Sequence, residues 1–516
     1  MTVYHINKGI GPSSSGIEYA QKYRFDLVKN FPEKQYFVFC DYIYSNYTRF
    51  TDNIGLDMDA TLNAYKFMAG QKNHRSTYTV EAFQETLSAD FTRQADGAKA
   101  VNFMSGEVLY KAWLVPDTQN IDRVDTIVSS RLQEVAHYTD RLTNIDYYSG
   151  KEIFCRYFFN ENGNLSMRQF LQDNKIVSTF IDNLVLYGNS EFYDEFFRRL
   201  NFDKNDLVII DRNTDIGAEL LQNKHEAKFV VVVHAEHFSE RMSDENWILW
   251  NNYYEYVFTN HKYIDYFVVS TDEQKANLER QFGIYGHPET KVVTIPVGFI
   301  EQLADGELIK QNKYKFLTAS RLAAEKHIDV LVRAVAKAKQ NIPELAFHIY
   351  GAGGLDKNLR DLIAQLDASD YIEMKGHQHL DNSVYGQYGG YLTASGSEGF
   401  GLTILEAVSA CLPIIGLDVD YGNTEFIEDA VNGFRFERGT EEEQVDLFAE
   451  KIQKMVTELN YDKAIAFAKE KASFYLADNV RQLWRDFYDL NLYGNNEALA
   501  QLPAQAKDGG DSDRYE

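Results

Sequence analysis

Two carboxylates eight positions apart mark the stretch of the 516-residue chain with the clearest potential for chemistry. The stretch runs through Glu398, Gly399, Phe400, Gly401 and Glu406. A buried strand is predicted before it and a helix after it, so the first carboxylate lies at the carboxyl end of a strand. Fixed carboxylates accept hydrogen bonds from hydroxyls, and a helix N-terminus attracts an anion. A sugar nucleotide, which carries hydroxyl-rich sugars and a diphosphate, matches both properties.

A second candidate group is a pair of cations in the same half of the chain. Arg321 follows the predicted strand 316–319, and Lys326 comes five residues later, before the predicted helix 327–340. The whole chain has a formal net charge of −25, so a local basic pair at a strand end indicates an anion site. The alternative is a pair of solvated surface cations.

A third candidate is the glycine loop that follows the first predicted strand. Gly9, Gly11 and Gly16 would let the backbone approach a diphosphate closely. The loop lacks the Gly-Lys-Ser/Thr ending of a P-loop, and its third glycine comes two residues late for a dinucleotide motif. Asp41, after the second strand, could still bind the ribose of NAD. A nicotinamide enzyme and a plain tight turn therefore remain as alternatives.

The remaining candidates lie at other strand ends. His234 ends the most apolar strand of the first half, where a structural histidine is the usual finding. Gln378 and His379 follow a predicted strand at 372–375, and their backbone could bind the edge of a flat base. Asp418 and Asp420 resemble the metal-binding pair of some sugar transferases, although a loop is the simpler interpretation.

The elements that would position these residues alternate between strand and helix in two regions, which predicts two Rossmann-like α/β domains. Apolar strands such as 228–233 are typical of parallel sheets covered on both faces. Between two parts of the first region, Tyr, Phe, Thr and Val recur in short alternations, for example at 76–80 and 151–159. Asn162-Gly163 follows the second run and is a strong hairpin signal. These features predict an antiparallel, β-rich insertion.

The predicted domain boundaries follow these changes of pattern. The N-terminal domain, on the acceptor side, comprises 1–40 and 183–300, and the insertion between its two parts comprises 41–182. The C-terminal donor-nucleotide domain comprises 301–474. A helix at 475–495 is expected to pack back on the N-terminal domain, and 496–516 is expected to be a disordered acidic tail.

Composition limits the classes of partner. Hydrophobic residues make up 44% of the chain and charged residues 25%, which is typical of a globular protein. The strong negative charge argues against nucleic acid as a partner. Cys40, Cys155 and Cys411 lack metal-ligand spacing. Cys40 and Cys411 lie in apolar segments, so we expect buried free thiols there, which fits a reducing cytosol. Apolar runs are too short to span a bilayer, so we expect a cytoplasmic protein, with peripheral association at the inner face of the membrane still open.

Taken together, these residues resemble the retaining glycosyltransferases of family 4, which have the GT-B fold. The order and spacing match across both α/β regions at Gly16, His234, Ser320-Arg321 with Glu325-Lys326, Gly351-Ala352-Gly353, and Glu398 through Glu406. The N-terminal motif at 6–21 and the β-rich insertion are similar to the N-acetylglucosamine (GlcNAc) transferase subunits of accessory secretion systems. Those subunits begin the O-glycosylation of serine-rich repeat adhesins. The resemblance covers nearly the whole chain up to about residue 490.

The resemblance implies a role for each candidate residue. The first glycine loop would approach the UDP donor through Gly16, Ile17, Glu18 and Tyr19. Arg321 and Lys326 would neutralise the departing diphosphate, which is electrostatic catalysis. The sugar would be held by His234, Glu398 and the amides of Gly399, Phe400 and Gly401. Glu406 would bind the ribose, and Gln378 and His379 would lie beside uracil.

The implied reaction moves GlcNAc from UDP-GlcNAc to Ser or Thr hydroxyls of a serine-rich repeat adhesin with retained configuration. No cofactor and no metal are expected. The implied partner is a related, inactive subunit in a complex with two copies of each chain. Two alternatives remain, a wall teichoic acid α-glycosyltransferase and an inactive, acceptor-binding partner subunit. The active enzyme is favoured because the chain has all four charged donor-site residues, namely Arg321, Lys326, Glu398 and Glu406.

Overall fold

The computed structural model describes residues 1–11, 15–43, 47–244, 247–378 and 380–495. Its contacts divide the chain into two compact units. The first comprises Met1–Phe25, Phe31–Val231 and Glu255–Asp265, and the second comprises Asp26–Asn30, Val232–Tyr254 and the chain from Tyr266 onward. The acidic tail predicted at 496–516 lies outside the described residues.

The first unit opens with parallel strands and helices. In chain order these are β1 (Thr2–Asn7), α1 (Gly16–Val28), β2 (Lys34–Phe39), α2 (Tyr47–Ile54), β3 (Thr61–Asn63), α3 (Ala64–Met68) and α4 (Val80–Glu85). β1 pairs parallel with β2, and β2 pairs parallel with β3. The side chains of β1 are almost all buried, as expected for a strand covered on both faces.

A ten-stranded antiparallel sheet follows. Its strands are β4 (Thr92–Asp96), β5 (Ala100–Ser105), β6 (Val108–Leu114), β7 (Ile121–Val128), β8 (Arg131–Tyr138), β9 (Leu142–Ser149), β10 (Glu152–Phe159), β11 (Leu165–Gln172), β12 (Lys175–Ile181) and β13 (Leu184–Tyr187). Each strand pairs with the next one along the chain, so the sheet is a meander with β4 and β13 at its edges. The predicted hairpin is confirmed, because β10 and β11 pair across Asn162-Gly163 and Gly163 has a φ of +76°.

The antiparallel strands begin later than the sequence pattern indicates. The alternation at 76–80 is not a strand, and this prediction is wrong. Thr79 instead caps α4 by accepting a hydrogen bond from the Ala82 N–H, and the Tyr78 ring stacks on Tyr138 at 4.9 Å. An N-cap and an aromatic contact use the same residue types as a strand, so local pattern alone could not separate them.

The first unit then returns to the parallel sheet. The elements are α5 (Gly188–Leu200), β14 (Asp206–Ile210), α6 (Gly217–Gln222), β15 (Lys228–Val232) and α7 (Glu255–Thr259). The strand order is β15-β14-β1-β2-β3, so the direction of winding reverses between β1 and β14. Open α/β sheets bind ligands at such reversals, outside the carboxyl ends of the strands. The glycine loop after β1 lies at this position.

The second unit contains another doubly wound sheet. In chain order, the elements of this unit are β16 (Tyr266–Val269), α8 (Asp272–Ile284), β17 (Val292–Thr294), β18 (Lys315–Ala319), α9 (Ile328–Lys339), β19 (Ala346–Tyr350), α10 (Asp356–Gln365), β20 (Ile372–Gly376), α11 (Asn382–Tyr385), β21 (Gly390–Thr393), α12 (Leu402–Ser409), β22 (Ile414–Leu417), α13 (Gly422–Phe426), β23 (Gly433–Phe436), α14 (Glu441–Thr457), α15 (Tyr461–Ser473) and α16 (Ala477–Tyr493). The doubly wound sheet consists of β18 to β23. The six-stranded order is β20-β19-β18-β21-β22-β23, and the winding reverses between β18 and β21.

The predicted fold class is confirmed. The protein is an α/β protein with doubly wound parallel sheets and a large antiparallel sheet in its N-terminal half. Apolar side chains on α9, α12 and strands β18 to β23 form one continuous buried core. Within the described residues, we find no helix that combines the length and the apolar character needed to cross a membrane.

Candidate active site

The reversal between β18 and β21 brings the main candidates to one edge of the sheet. The two strands pair in parallel, with Leu317 opposite Tyr391, so their carboxyl ends lie side by side. Arg321 and Lys326 follow β18, and Glu398 follows β21. Residues that the sequence separates by more than 70 positions are therefore neighbours at the place where such sheets bind ligands.

Lys326 and Glu398 are joined directly. The Lys326 ammonium forms an ion pair with the Glu398 carboxylate, and only 18% and 17% of the two side chains are exposed. The loops that carry them also touch, since the Gly396 N–H lies 3.4 Å from the Glu325 carbonyl oxygen. Partial burial weakens solvent screening, so each group is held more firmly than an exposed ion pair would hold it.

Arg321 has a different environment from Lys326. Its guanidinium pairs with Glu325 at 2.9 Å, and the two side chains are 60% and 57% exposed. Exposed pairs four residues apart stabilise a protein only slightly. Arg321 is therefore accessible to a ligand, and its assignment to the diphosphate stays a prediction.

The glycine loop after Glu398 packs against the segment that begins at His234. A Cβ atom on Gly399 would lie 2.3 Å from the His234 carbonyl oxygen and 2.7 Å from the Ala235 Cα atom, so a larger residue does not fit. Gly401 caps α12 with a φ of +81°, a conformation that favours glycine. The predicted sugar loop and the predicted sugar-contacting histidine are thus in direct contact.

Two residues beside His234 that the sequence analysis did not assign also support this loop. The Ser397 hydroxyl donates a hydrogen bond to Glu236, whose pKa is raised by burial. The His237 ring stacks on Tyr421 with ring centroids 5.8 Å apart, and burial lowers the pKa of His237 to about 4. The Tyr421 N–H in turn donates to the Glu398 carbonyl oxygen at 2.7 Å. The close spacing of His234, Glu236 and His237 was the available sequence signal.

Glu406 lies on α12, and a buried tyrosine fixes its side chain. The Tyr385 hydroxyl donates to a Glu406 carboxylate oxygen at 2.8 Å, and Tyr385 is only 1% exposed. A carboxylate oriented in this way can accept two hydroxyls of a ribose. Gln378 lies after β20, where its side-chain amide donates to the Lys375 carbonyl at 3.0 Å. His379 is outside the described residues.

In the first unit, the Glu18 carboxylate is hydrogen-bonded to other groups of the protein. Its carboxylate accepts hydrogen bonds from the Ser15 N–H at 2.5 Å and from the Asn7 side chain at 3.2 Å, and the residue is only 4% exposed. Glu18 therefore holds the backbone at Ser15, the residue just before α1. Tyr19 is 38% exposed, whereas Ile17 is half-buried.

Gly16 differs from Gly399 in the space around it. Apart from its chain neighbours and the nearby backbone of α1, no described atom lies within 4 Å of a Cβ built on Gly16. Nothing in the described protein therefore requires glycine at this position. Asp41, the residue that would bind the ribose of NAD, instead pairs with Lys8 at 3.2 Å and lies against Gly9. This arrangement argues against the NAD alternative.

The aspartate pair after β22 lacks the features of a metal site. Asp418 pairs with Arg435 at 3.0 Å. Burial, followed by the charge of Glu273, raises the pKa of Asp420 to about 7. Within the described residues, these two aspartates do not belong to a group of three or more potential metal ligands within 4.8 Å of one another. The expectation of a metal-free reaction stays a prediction.

The protein has two doubly wound sheets, a large antiparallel sheet, and a candidate site where the winding reverses between β18 and β21. These features define a glycosyltransferase of the GT-B fold. Residues 299–501 match the family of glycosyl transferases group 1. The chain is 38% identical, over 95% of its length and 99% of the relative's, to the UDP-N-acetylglucosamine–peptide N-acetylglucosaminyltransferase GtfA subunit of Streptococcus parasanguinis. The chain belongs to this family of GtfA subunits.

Solved structures agree with this family. The pneumococcal O-GlcNAc transferase GtfA, solved in complex with UDP and GlcNAc, has a TM-score of 0.90 and 36% identity, with 96% of this chain and 99% of that chain covered. A GtfA/B complex has a TM-score of 0.87 and 34% identity, with 96% and 100% covered. TarM has a TM-score of 0.76 at 16% identity, with 95% and 98% covered, and this likeness concerns the fold alone.

Proposed function

We propose that this chain transfers GlcNAc from UDP-GlcNAc to Ser or Thr hydroxyls of a protein, with retention of configuration. The observation that carries the proposal is the Lys326–Glu398 pair at the sheet reversal of a chain that belongs to the GtfA family. Lys326 can stabilise a diphosphate, and Glu398 can hold sugar hydroxyls. The diphosphate and the sugar of the donor would therefore lie next to each other at this pair.

The same residues suggest how the reaction proceeds. The bond between C1 of the sugar and the β-phosphate oxygen breaks while Lys326 and Arg321 neutralise the growing negative charge. The acceptor hydroxyl oxygen bonds to C1 on the face that UDP leaves, and its proton passes to the departing phosphate oxygen. Glu406 holds the ribose, and Glu398 with the amides of the glycine loop orients the sugar.

This mechanism uses protein charges where some sugar transferases use a divalent metal. Lys326, Arg321 and the N-terminus of α12 supply the positive potential. We accordingly propose that no metal and no cofactor takes part. Turnover should not change when EDTA is added, and inhibition that Mg²⁺ or Mn²⁺ reverses would overturn this part.

The acceptor and partner are also part of the proposal. We infer that the acceptor is a serine-rich repeat adhesin and that a related, inactive GtfB-like subunit joins the chain in a complex with two copies of each. The existence of a solved GtfA/B complex supports a partner subunit. An exposed apolar face on the last three antiparallel strands, with Val185 and Tyr187 at the edge, is a suitable surface for it. The reaction would take place in the cytoplasm, at the inner face of the membrane.

One assay separates this function from its alternatives. The chain, alone and with its partner, is incubated with a panel of UDP-sugars and either a serine-rich peptide or poly(ribitol phosphate). We expect hydrolysis of UDP-GlcNAc and transfer to the peptide only. Transfer to poly(ribitol phosphate) would support a teichoic acid enzyme. A lack of hydrolysis with every UDP-sugar would support an inactive, acceptor-binding subunit.

A further inference from the structure

A cavity of about 350 Å³ opens on one face of the antiparallel sheet, among strands β7 to β10 of the first unit. Small-molecule sites in proteins occupy roughly 300–1,000 Å³, so this cavity matches a ligand the size of one sugar residue. None of its lining residues belongs to the candidate active site. We propose that it binds a neutral pyranose, namely a GlcNAc already attached to the acceptor protein.

The sheet register builds the polar side of this cavity. Asp125, Val135, Asp146 and Arg156 lie directly opposite one another across four neighbouring strands. Residues opposite each other in antiparallel strands project from the same face. One row of the meander therefore places two carboxylates and a guanidinium together.

Two β-bulges bring apolar residues to the same face. An extra residue in β10, Phe154, lies between Ile153 and Cys155, and an extra residue in β8, Gln133, lies between Leu132 and Glu134. Without these bulges, Ile153 and Arg156 would project from opposite faces, because three positions separate them. Bulges that redirect side chains are common beside functional sites.

The first arginine of the cavity is held rigidly. The Arg156 Nε donates to Asp146 at 3.2 Å, and its guanidinium lies 3.8 Å from the Tyr42 ring centroid. Asp146 is itself only 3% exposed and also contacts Tyr42 at 3.1 Å and His137 at 3.2 Å. This network fixes the position of the guanidinium before any ligand arrives.

The second arginine repeats the arrangement. The Arg123 Nε donates to Asp125 at 3.2 Å, and its guanidinium lies 5.2 Å from the Trp113 ring centroid. The Trp113 indole N–H donates to the same carboxylate at 2.7 Å. Across the described ranges of the chain, the terminal Nη groups of Arg123 and Arg156 have no hydrogen-bond partner. The cavity therefore offers fixed N–H donors.

These donors fit a sugar better than they fit an anion. Each guanidinium is already neutralised by a carboxylate, so the cavity has no excess positive charge to attract phosphate. Hydroxyl oxygens and the acetamido carbonyl of GlcNAc accept N–H groups, and Asp125 can accept a hydroxyl. Tyr148, Leu132 and Ile153 supply an apolar wall for the apolar face of the ring.

The identity of the sugar rests on the proposed function, because GlcNAc on Ser or Thr is the product that the active site would make. A chain that binds its own product at a second site would hold a partly modified acceptor while further hydroxyls react. The inference therefore predicts that a modified acceptor binds better than an unmodified one.

The test compares two fluorescent serine-rich peptides, one carrying a single α-linked GlcNAc, by anisotropy with the full-length chain. Saturating UDP is present so that the nucleotide site is occupied. We expect the modified peptide to bind about tenfold more tightly, which corresponds to about one hydrogen bond to a charged donor. Methyl α-GlcNAc should compete with the modified peptide, and inorganic phosphate should not.

Neighbouring tyrosines supply the variant and its control. Tyr148→Ala should remove the preference for the modified peptide. Tyr147→Ala should retain it, because Tyr147 packs on Tyr157 and does not line the cavity. Arg123→Lys is the second variant in case Tyr148→Ala unfolds, since the Arg123 side chain is 31% exposed.

Three results would overturn the inference. The wild-type chain could bind both peptides equally, the preference could survive both variants, or phosphate could displace the modified peptide. Failure of the proposed function would be distinguishable, because it would show as a lack of UDP-GlcNAc hydrolysis and transfer whatever the peptide affinities are.

Discussion

The Lys326 ammonium and the Glu398 carboxylate form a largely buried ion pair across two loops of the second sheet. Each residue is assigned to a different part of the donor, the cation to the diphosphate and the carboxylate to the sugar. Their contact means that the two sites are coupled, and a change at one residue leaves the other with an uncompensated charge.

Replacement of Lys326 is therefore expected to be more damaging than replacement of Arg321. Lys326→Ala should reduce turnover by about two to three orders of magnitude, because it removes a donor aimed at developing charge. Arg321→Ala should also reduce turnover, without loss of thermal stability, since its pair with Glu325 is exposed. Steady-state hydrolysis of UDP-GlcNAc measures both effects.

The matched control for the lysine is Lys337→Ala. Lys337 pairs with Asp446 on the surface of the same unit, with 51% and 63% of the side chains exposed. It should retain wild-type turnover. Normal turnover of Lys326→Ala would show that the phosphate assignment is wrong.

Glu398 and Glu406 are expected to separate sugar binding from nucleotide binding. Glu398→Gln should lose most activity without weakening UDP, because it leaves the Lys326 charge free to act on the diphosphate, whereas Glu406→Gln should weaken UDP itself. Tyr385→Phe should reproduce part of the Glu406 effect, because it removes the 2.8 Å bond that orients that carboxylate. Calorimetric titration with UDP measures all three, and the reverse pattern would mean that the two roles are exchanged.

The sequence predicted most of the parallel sheet of the second unit, because its strands are continuously apolar and its helices carry apolar residues at helical spacing. The expected helix at 327–340 corresponds to α9, with ends within one residue of the predicted ones, and the helix expected after the first carboxylate corresponds to α12. The Lys326–Glu398 contact was not predicted as a pair. It depends on β18 lying beside β21, and strand order is a long-range property that local pattern does not contain.

The parts that sequence reasoning missed share one physical cause. Glu236 and His237 act through residues about 160 and 180 positions away, Ser397 and Tyr421. The run at 76–80 was assigned to a strand because a capping threonine and a stacked tyrosine are also common in strands. In both cases tertiary contacts decided what the local residue types left open.

Two glycines provide a test of whether a loop is restricted by the protein or by its ligand. Gly399→Ala should lower both activity and stability, because the new methyl group would clash with the His234 backbone. Gly16→Ala should keep the wild-type melting temperature but raise the KM for UDP-GlcNAc, because only a bound diphosphate would meet the methyl group. Gly354→Ala is the control, since its Cβ position is also open. A normal KM for Gly16→Ala would remove this loop from the donor site.

Asp420 should make the folded chain less stable as the solution becomes more basic. Burial, and then the charges of Glu273, Glu240, Glu236 and Asp418, raise its pKa to about 7. A carboxyl with a raised folded pKa stabilises the fold below its unfolded pKa of about 4, and this contribution is lost as the pH rises through about 7.

Asp420→Asn removes this ionisation. Between about pH 5 and about pH 8, the melting temperature of the variant should fall less than that of the wild type, by at least about 2 °C, although solvent screens part of the effect. Asp446→Asn, at an exposed carboxylate, should follow the wild-type profile. Parallel melting curves for the wild type and Asp420→Asn would contradict the assigned cause.

The last prediction concerns the exposed apolar face of the antiparallel sheet. Phe170, Val185 and Tyr187 are 38%, 42% and 64% exposed, and they lie on strands β11 and β13 at one end of the meander. The register places Phe170 on the face opposite Arg156, so this surface is separate from the proposed sugar cavity. Edge strands with exposed apolar side chains are suited to pairing with another chain.

Val185→Glu and Phe170→Glu are therefore expected to abolish co-purification with the proposed partner subunit and, as a result, transfer to the proposed adhesin acceptor. Hydrolysis of UDP-GlcNAc by the isolated chain should continue, because Lys326, Glu398 and Glu406 are in the second unit and the glycine loop after β1 is not part of the antiparallel sheet. Met104→Glu makes the same kind of change at the other end of the sheet, where Met104 is 39% exposed, and should leave the complex intact. If the two face variants still co-purify with the partner while Met104→Glu does not, the partner binds at the β4 edge instead.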